Sequence, residues 1–494
     1  MPAWRPSNFV VGTRRPVDRE CHLMSQSIAK SILRKFTLLA CGSVAVWASS
    51  QCQATADDNW ELLVIGQHDD SNAAGSQKRL DALSQTRIEA VAEICGLTKA
   101  QQEKLELAGR GDNLRLLTRI DAFREKFQIV KDDQKQVEEL IKDNRALRDH
   151  LKSGPIGDQT LFAKTLQATL LPDQTAQYEP LREVYRVGGQ VRVLRTPSDP
   201  VIEITVNGTA FGNDGMARLS KLANLAVLRV DHTQVTDKGF SSLKQLNRLS
   251  SLGLVGTQVT DSGLVELGEM DTLTHLNLGE TAVSDVGLQH LERLSKLEWL
   301  GLKRTMVTGA GLESLKRLRR LTYVNLDYTR LTDAGLEHLQ EFSCIEGLSL
   351  KGTQETDAGL KVLKHVSGLR DLCVSETRLT DAGLAHVKDM KSLRSLDLGG
   401  NGITDAGLRH LKDLAHLENL SLANTQVTDA GLEHIGGLTE LENLDLSDTQ
   451  VTDAGVAHLK GLAGLRYLWF RRNKLTAAGI SELKKSLPKA EFLQ

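Results

Sequence analysis

The sequence predicts an α/β solenoid, a stack of coils each built from one strand and one helix, preceded by an all-α segment. Three observations predict it. Apolar residues recur without insertion or deletion at Val201, Leu225, Leu249, Leu273, Leu297, Leu321, Ile345, Leu369, Leu393, Leu417, Leu441 and Leu465, a period of 24 residues. The chain has 494 residues, too many for one ordinary globular core. Aromatic residues make up only 4% of it against 40% apolar overall, so leucine carries most of the burial.

The logic of a coil is visible in Leu417–Glu440, LENLSLANTQVTDAGLEHIGGLTE. The two-residue period of a strand sends Leu420 and Leu422 inward and leaves Asn419, Ser421 and Ala423 pointing out. Thr425 is expected to turn into the arch and bond backbone groups of neighbouring coils, a place that Asn401 and Asn473 take in their own coils. Thr428 reads as an N-cap, and Asp429 places negative charge in the first helical turn. Leu432, Ile435 and Leu438 return at helical spacing to close the core. No coil buries its apolar side alone, so stability comes from stacking. Strands sit about 4.8 Å apart and helices about 8–10 Å apart. The mismatch bends the stack into a horseshoe, with parallel strands on the concave face and helices on the convex face. Residues 487–492 are expected to form an irregular closing coil.

The pattern L-x-x-L-x-L-x-x-T-x-V-T-D-x-G-L over 201–487 resembles the 24-residue, T-D-x-G-L class of secreted bacterial leucine-rich-repeat proteins. It is more distantly similar to the repeats of F-box ubiquitin-ligase adaptors, although no F-box-like helical signature precedes the array. The resemblance implies a scaffold whose specificity lies in variable surface residues.

Residues 1–56 are read as the signal-peptide region. Lys30, Arg34 and Lys35 form a basic stretch, Phe36–Ala48 an apolar one, and Ala54-Thr55-Ala56 a small-x-small cleavage site. Residues 1–23 fit no part of a signal, which points to Met24 as the start. Leu38–Cys41 loosely resembles a lipobox, so a lipid anchor on Cys41 is the alternative to simple secretion into the periplasm, the envelope or the medium. The apolar run is shorter than the roughly 20 residues that span a bilayer, and no transmembrane span is expected in the mature chain. Residues 57–85 read as a linker, 86–200 as a helical domain and its connection, and 201–494 as the solenoid with its cap.

Within the helical domain, Thr98-x-x-Gln101 forms a capping box that opens a helix through Leu107. Gly109 suits a stop and Asp112 a new N-cap. Later helices are expected at 137–151, 159–170 and 173–187. Leu97–Gln101 resembles the L-T-x-x-Q motif of small helical periplasmic stress proteins, with Leu170–Gln174 as an imperfect second copy. Arg110-Gly111-Asp112 spells the integrin-binding tripeptide, yet each of its residues fits a helix boundary.

Charge is nearly balanced, 61 basic against 63 acidic residues, which argues against nucleic acid as a partner. The mature chain would keep Cys95, Cys344 and Cys373, scattered and without C-x-x-C, so neither a disulfide framework nor a zinc site is implied. No phosphate loop, nucleophile elbow or H-E-x-x-H is present, so catalytic, cofactor and metal residues are none and no enzyme is expected. His290, His338, His386, His410, His434 and His458 share one repeat position. A metal–nitrogen bond is about 2 Å while neighbouring helices stand about 8–10 Å apart, so they read as a solvated helix face. Glu355 takes a slot that is apolar in every other repeat. A turn that swings it outward toward Arg330 and Arg378 is expected, with a functional carboxylate as the alternative.

Against small outward residues such as Gly253, Gly279, Ser349 and Ser395, one ligand-binding cluster stands out: Trp299, Lys303, Arg304, Tyr323, Asp327 and Tyr328 on two adjacent strands. Trp299 and Tyr323 share a register position and should stand side by side, and Lys303 is placed to pair with Asp327. Tyr467, Trp469, Arg471 and Arg472 form a second group, for which binding and end-capping both stay open. Trp, Tyr and Arg are frequent energetic anchors of interfaces. The sequence therefore points to a non-catalytic scaffold that holds a protein partner, with a polysaccharide ligand as the alternative.

Overall fold

Helix begins at Ala73, inside the stretch expected to be a linker, so residues 73–85 correct that reading. The computed structural model describes residues 73–130, 133–144, 147, 159–195, 200–208, 210–342 and 344–493. They fall into two units, 73–259 and 260–493. The leader, Cys41 and Met24 lie outside the described residues. Among the described residues no helix is long and apolar enough to cross a membrane.

In the first unit, α1 (Ala73–Cys95) buries Leu80, Ile88, Val91 and Cys95 and stops at Gly96, whose φ of +64° a glycine adopts freely. The capping box forms as expected: Thr98 N donates to Gln101 Oε1 at 2.8 Å, and Gln101 N to Thr98 Oγ1 at 3.3 Å. It opens α2, which runs from Lys99 to Val130 rather than ending at Leu107. Leu116, Ile120, Phe123 and Phe127 recur at spacings of three and four and pack against Leu80. Continuous burial along this stripe outweighs the weak stop signal at Gly109.

Asp112 therefore starts no helix of its own chain segment. It sits buried in mid-helix and caps α4 (Leu161–Thr169) instead, accepting from Leu161 N at 2.9 Å and Phe162 N at 2.8 Å. That engagement withdraws the tripeptide's carboxylate from any external ligand. Between them lies α3 (Gln134–Asp143), and α5 (Pro172–Arg186) follows. The two glutamine motifs meet: Gln101 Nε2 donates to Gln174 Oε1 at 2.9 Å, and Gln174 Nε2 to the Gly96 carbonyl at 3.0 Å. Next, β1 (Gln190–Arg195) pairs antiparallel with β2 (Pro200–Thr205). The strands β3 (Leu225–Arg229) and β4 (Ser251–Gly253) continue from β2 in parallel. Helical segment and opening strands thus share one unit, whereas the sequence suggested a boundary at 200/201.

The second unit is a parallel ladder in register at every repeat. Its strands are β5 (His275–Asn277), β6 (Trp299–Gly301), β7 (Tyr323–Asn325), β8 (Gly347–Ser349), β9 (Asp371–Cys373), β10 (Ser395–Asp397), β11 (Asn419–Ser421), β12 (Asn443–Asp445), β13 (Tyr467–Trp469) and β14 (Glu491–Leu493). Leu276 pairs with Leu300, Leu300 with Val324, and the row continues through Leu420 to Leu468 beside Phe492. The closing segment thus keeps an irregular start but ends in a regular last strand, Glu491–Leu493, whose Phe492 extends the row of inward side chains. Leu432, Ile435 and Leu438 are fully buried, but only Asp429–Leu432 is helical.

The T-D-x-G signature has a physical reading that spans coils. Asp405 accepts from Thr428 N at 2.8 Å and Thr428 Oγ1 at 2.6 Å, and Asp429 does the same for Thr452. The Thr hydroxyl also caps its own helix by accepting from Ala430 N at 3.4 Å. A side chain on Gly431 would collide with the Asp405 carboxylate, which is why glycine sits there. Where Gly309 replaces the aspartate, Thr332 has no side-chain cap bond; Gly309 holds φ +111° against Gly335.

Two expectations about the arch change. Thr425 donates within its own coil, to the Leu422 carbonyl at 2.6 Å, because its side chain is too short to cross. The longer Asn401 does cross: its amide donates to the Val374 carbonyl at 2.8 Å and its oxygen accepts from Leu379 N at 3.3 Å.

Glu355 does not swing outward. It is 1% exposed, in the slot filled by leucine in the neighbouring coils, and Arg330 and Arg378 are exposed elsewhere. Burial pushes its carboxyl up to about 7. The Thr353 hydroxyl lies within hydrogen-bond reach of both the Leu350 carbonyl and Glu355 Oε2, with one hydrogen for two acceptors. A protonated Glu355 resolves the conflict by donating to Thr353.

Candidate functional site

With the Leu276–Phe492 row turned inward, the first and third residues of each strand look outward. Trp299 and Tyr323 occupy paired first positions on β6 and β7, as expected. Their rings are 6.0 Å apart at an interplanar angle of 5°, an offset stack worth about 0.5–1.5 kcal/mol beyond area burial. Glycines make room for them. A Cβ on Gly301 would lie 2.6 Å from Trp299 Cη2, and one on Gly347 would strike the Tyr323 ring. Both rings remain partly exposed. Burial, then the charge of Asp327, holds the Tyr323 phenol well above its usual range.

The rest of the expected cluster divides. Asp327 is buried and internally bonded, accepting from Ser349 Oγ at 2.5 Å, Lys351 N at 3.1 Å and Asn325 Nδ2 at 3.2 Å. Among the described residues no ion pair joins it to Lys303, which corrects that expectation. The Lys303 ammonium lies 5.8 Å from the Tyr328 ring instead, with the Arg304 guanidinium 5.1 Å from the same ring. Arg304 also reaches Glu280 at 3.3 Å, and the Tyr328 hydroxyl passes over Gly352 to donate to Glu376 at 2.7 Å. The buried network around Asp327 supports β7 and β8, while Lys303, Arg304 and Tyr328 make a separate charged cluster just beyond the strands. Glu280, Arg304, Tyr328, Gly352 and Glu376 all hold φ between +54° and +67°, one per coil.

In the second group, Tyr467 and Trp469 rings are 5.8 Å apart at 32°. Arg472 binds Asp448 through Nε at 2.5 Å and Nη2 at 2.8 Å. Because β14 continues the ladder beyond them, Tyr467 and Trp469 do not close the stack.

Between the two aromatic pairs lie outward residues that the sequence did not single out as a binding group. Asp371, Cys373, Asp397, Asn419 and Asp445 all take outward positions on β9 to β12. Burial, helped by Glu418 and Glu346, pushes the Asp371 carboxyl up to about 7, and burial raises Asp445 as well. Aligning the strands and reading down the first and third register columns would have found them. The four histidines from His386 to His458 are only partly exposed, and among the described residues no group of three or more metal-binding side chains assembles.

Residues 391–435 match the family described as Leucine Rich repeats (2 copies), and residues 270–291 match Leucine Rich repeat. With the ladder just described, these matches agree with a leucine-rich-repeat solenoid fold over the residues they cover. Solved structures similar to it include an internalin of Listeria monocytogenes, 21% identical, covering 60% of this chain and 86% of its own at a TM-score of 0.43. A leucine-rich-repeat protein of Leptospira interrogans is 19% identical, with 56% and 80% covered and a TM-score of 0.36. A second Listeria monocytogenes internalin, an internalin C2, is 26% identical, with 43% and 84% covered and a TM-score of 0.34. No curated protein sequence matches the chain.

Proposed function

We propose that this chain is a non-catalytic scaffold of the 24-residue, T-D-x-G-L class that holds a protein partner on the strand face of residues 260–493, in the cell envelope or outside the cell. The Trp299–Tyr323 stack is the observation that carries the reading. The buried leucines already fill the core, so the fold has no need of two large rings on the outer face. Stacked aromatics seated over glycines are rigid and hydrophobic, which suits an interface anchor. The basic and apolar leader with its small-x-small site supports export. A sugar ligand would need free polar groups beside the rings, and Asn325 and Asp327 are instead bonded to each other and buried.

The test is titration of a partner captured from the native envelope with the full chain. Trp299→Ala and Tyr323→Ala should each weaken binding by roughly 2 kcal/mol, about 30-fold, while the melting temperature hardly moves. Unchanged affinity in the double variant would sink the reading for this patch.

A further inference from the structure

We propose that the strand face between the Trp299–Tyr323 stack and the Tyr467–Trp469 pair receives an extended cationic peptide segment of the partner, one that carries lysine or arginine. The inference rests on the scaffold reading and adds to it the chemistry of what is held. Among the described residues no ion pair reaches Asp371, Asp397 or Asp445, all partly exposed on this face. Most neighbouring cations are already occupied: Lys351 binds Glu376 at 2.9 Å, Arg466 binds Glu442 at 3.2 Å, Arg394 binds Glu418, and Arg370 lies 4.0 Å from Glu346. The face is therefore left with a surplus of acidic groups, and a cation seated among them would favour their ionised form.

A second observation points to a ligand independently of charge. Asn419, only 1% exposed, lies in the same outward row as Asp371, and its Oδ1 accepts from Asn443 Nδ2 at 2.5 Å. Among the described residues its own Nδ2 has no acceptor, and Asp371 Oδ1 has no donor. Buried polar groups are seldom left unpaired without cost. One unused amide donor and one unused carboxyl oxygen, two strands apart, fit a peptide carbonyl and a basic side chain. From β7 to β13 there are six strand spacings, about 29 Å, which an extended segment of about eight or nine residues would cross. Its apolar ends would meet the two aromatic pairs.

The experiment measures fluorescence anisotropy of end-labelled decapeptides, alternating Lys–Gly or Glu–Gly, on the full chain. The lysine peptide should bind and the glutamate peptide should not. Asp371→Asn and Asp445→Asn should each weaken binding about five-fold or more, and Glu433→Gln on the helical side should leave it unchanged. Asp445→Asn carries the test where Asp371→Asn fails to fold. Equal binding of both peptides, or an equal loss from Glu433→Gln, overturns the inference. The two readings fail separately. A captured partner released by Trp299→Ala but indifferent to the aspartate variants would remove the cationic segment and keep the scaffold. Aspartate-dependent lysine binding, with the captured partner indifferent to Trp299→Ala and Tyr323→Ala, would do the reverse.

Discussion

On the helical side of residues 260–493, Asp333, Asp357, Asp381, Asp405, Asp429 and Asp453 each accept from the threonine of the following coil. Across the same coils the first strand position passes through Tyr323, Gly347, Asp371, Ser395, Asn419, Asn443 and Tyr467, and no side-chain bond recurs. The difference separates two tasks. A uniform bond holds neighbouring coils in register, so it leaves little room for variation: the carboxylate takes a threonine, or Ser284 beside Asp261, from the following coil and a glycine clears it. The strand face has its register fixed by backbone pairing and its core filled from behind, so its outward residues are free to differ. The one lapse in the helical series, Gly309, falls on the coil that bears Trp299.

That comparison fails if the two sides respond alike to substitution. The largest effect is expected inside: Leu420→Ala should cost about 2–5 kcal/mol in urea unfolding through the cavity it leaves, while outward Ser421→Ala should be nearly neutral. Equal losses would mean that inside and outside have been exchanged.

Glu355 comes next, as a carboxylate buried in a slot that is apolar in the neighbouring coils. Burial lifts it from 4.5 to about 7, so its neutral form favours the fold. This contribution is complete below pH 4.5 and is lost as pH rises through 7. Glu355→Leu should therefore stabilise the protein more at pH 8 than at pH 4, by about 3 kcal/mol. A pH-independent difference between the two melting curves would show that Glu355 is solvated.

The smallest effect belongs to the helical series. Asp405→Ala removes two bonds to Thr428 and should cost about 1–3 kcal/mol, without changing affinity for a ligand on the strand face. A loss of binding equal to that of Trp299→Ala would show that the two sides are coupled.

Much of this was legible in the residues. The 24-residue period gives the coil, two-residue alternation gives Leu420 and Leu422 inward, and a shared register position places Trp299 beside Tyr323. Periodicity determines which residues are equivalent and which way each points, because backbone geometry alone sets both. It is silent on which neighbour a side chain selects. Asp112 caps a helix some fifty residues away, Asp405 serves the next coil, and Asp327 is taken by Ser349 and the Lys351 amide rather than by Lys303. Each choice depends on distances between segments that are remote in sequence. Glu355 shows the same limit in burial. A carboxyl in an apolar slot was expected to escape to water, and the tertiary structure keeps it inside because Thr353 can share a proton with it and burial makes the neutral acid the stable form.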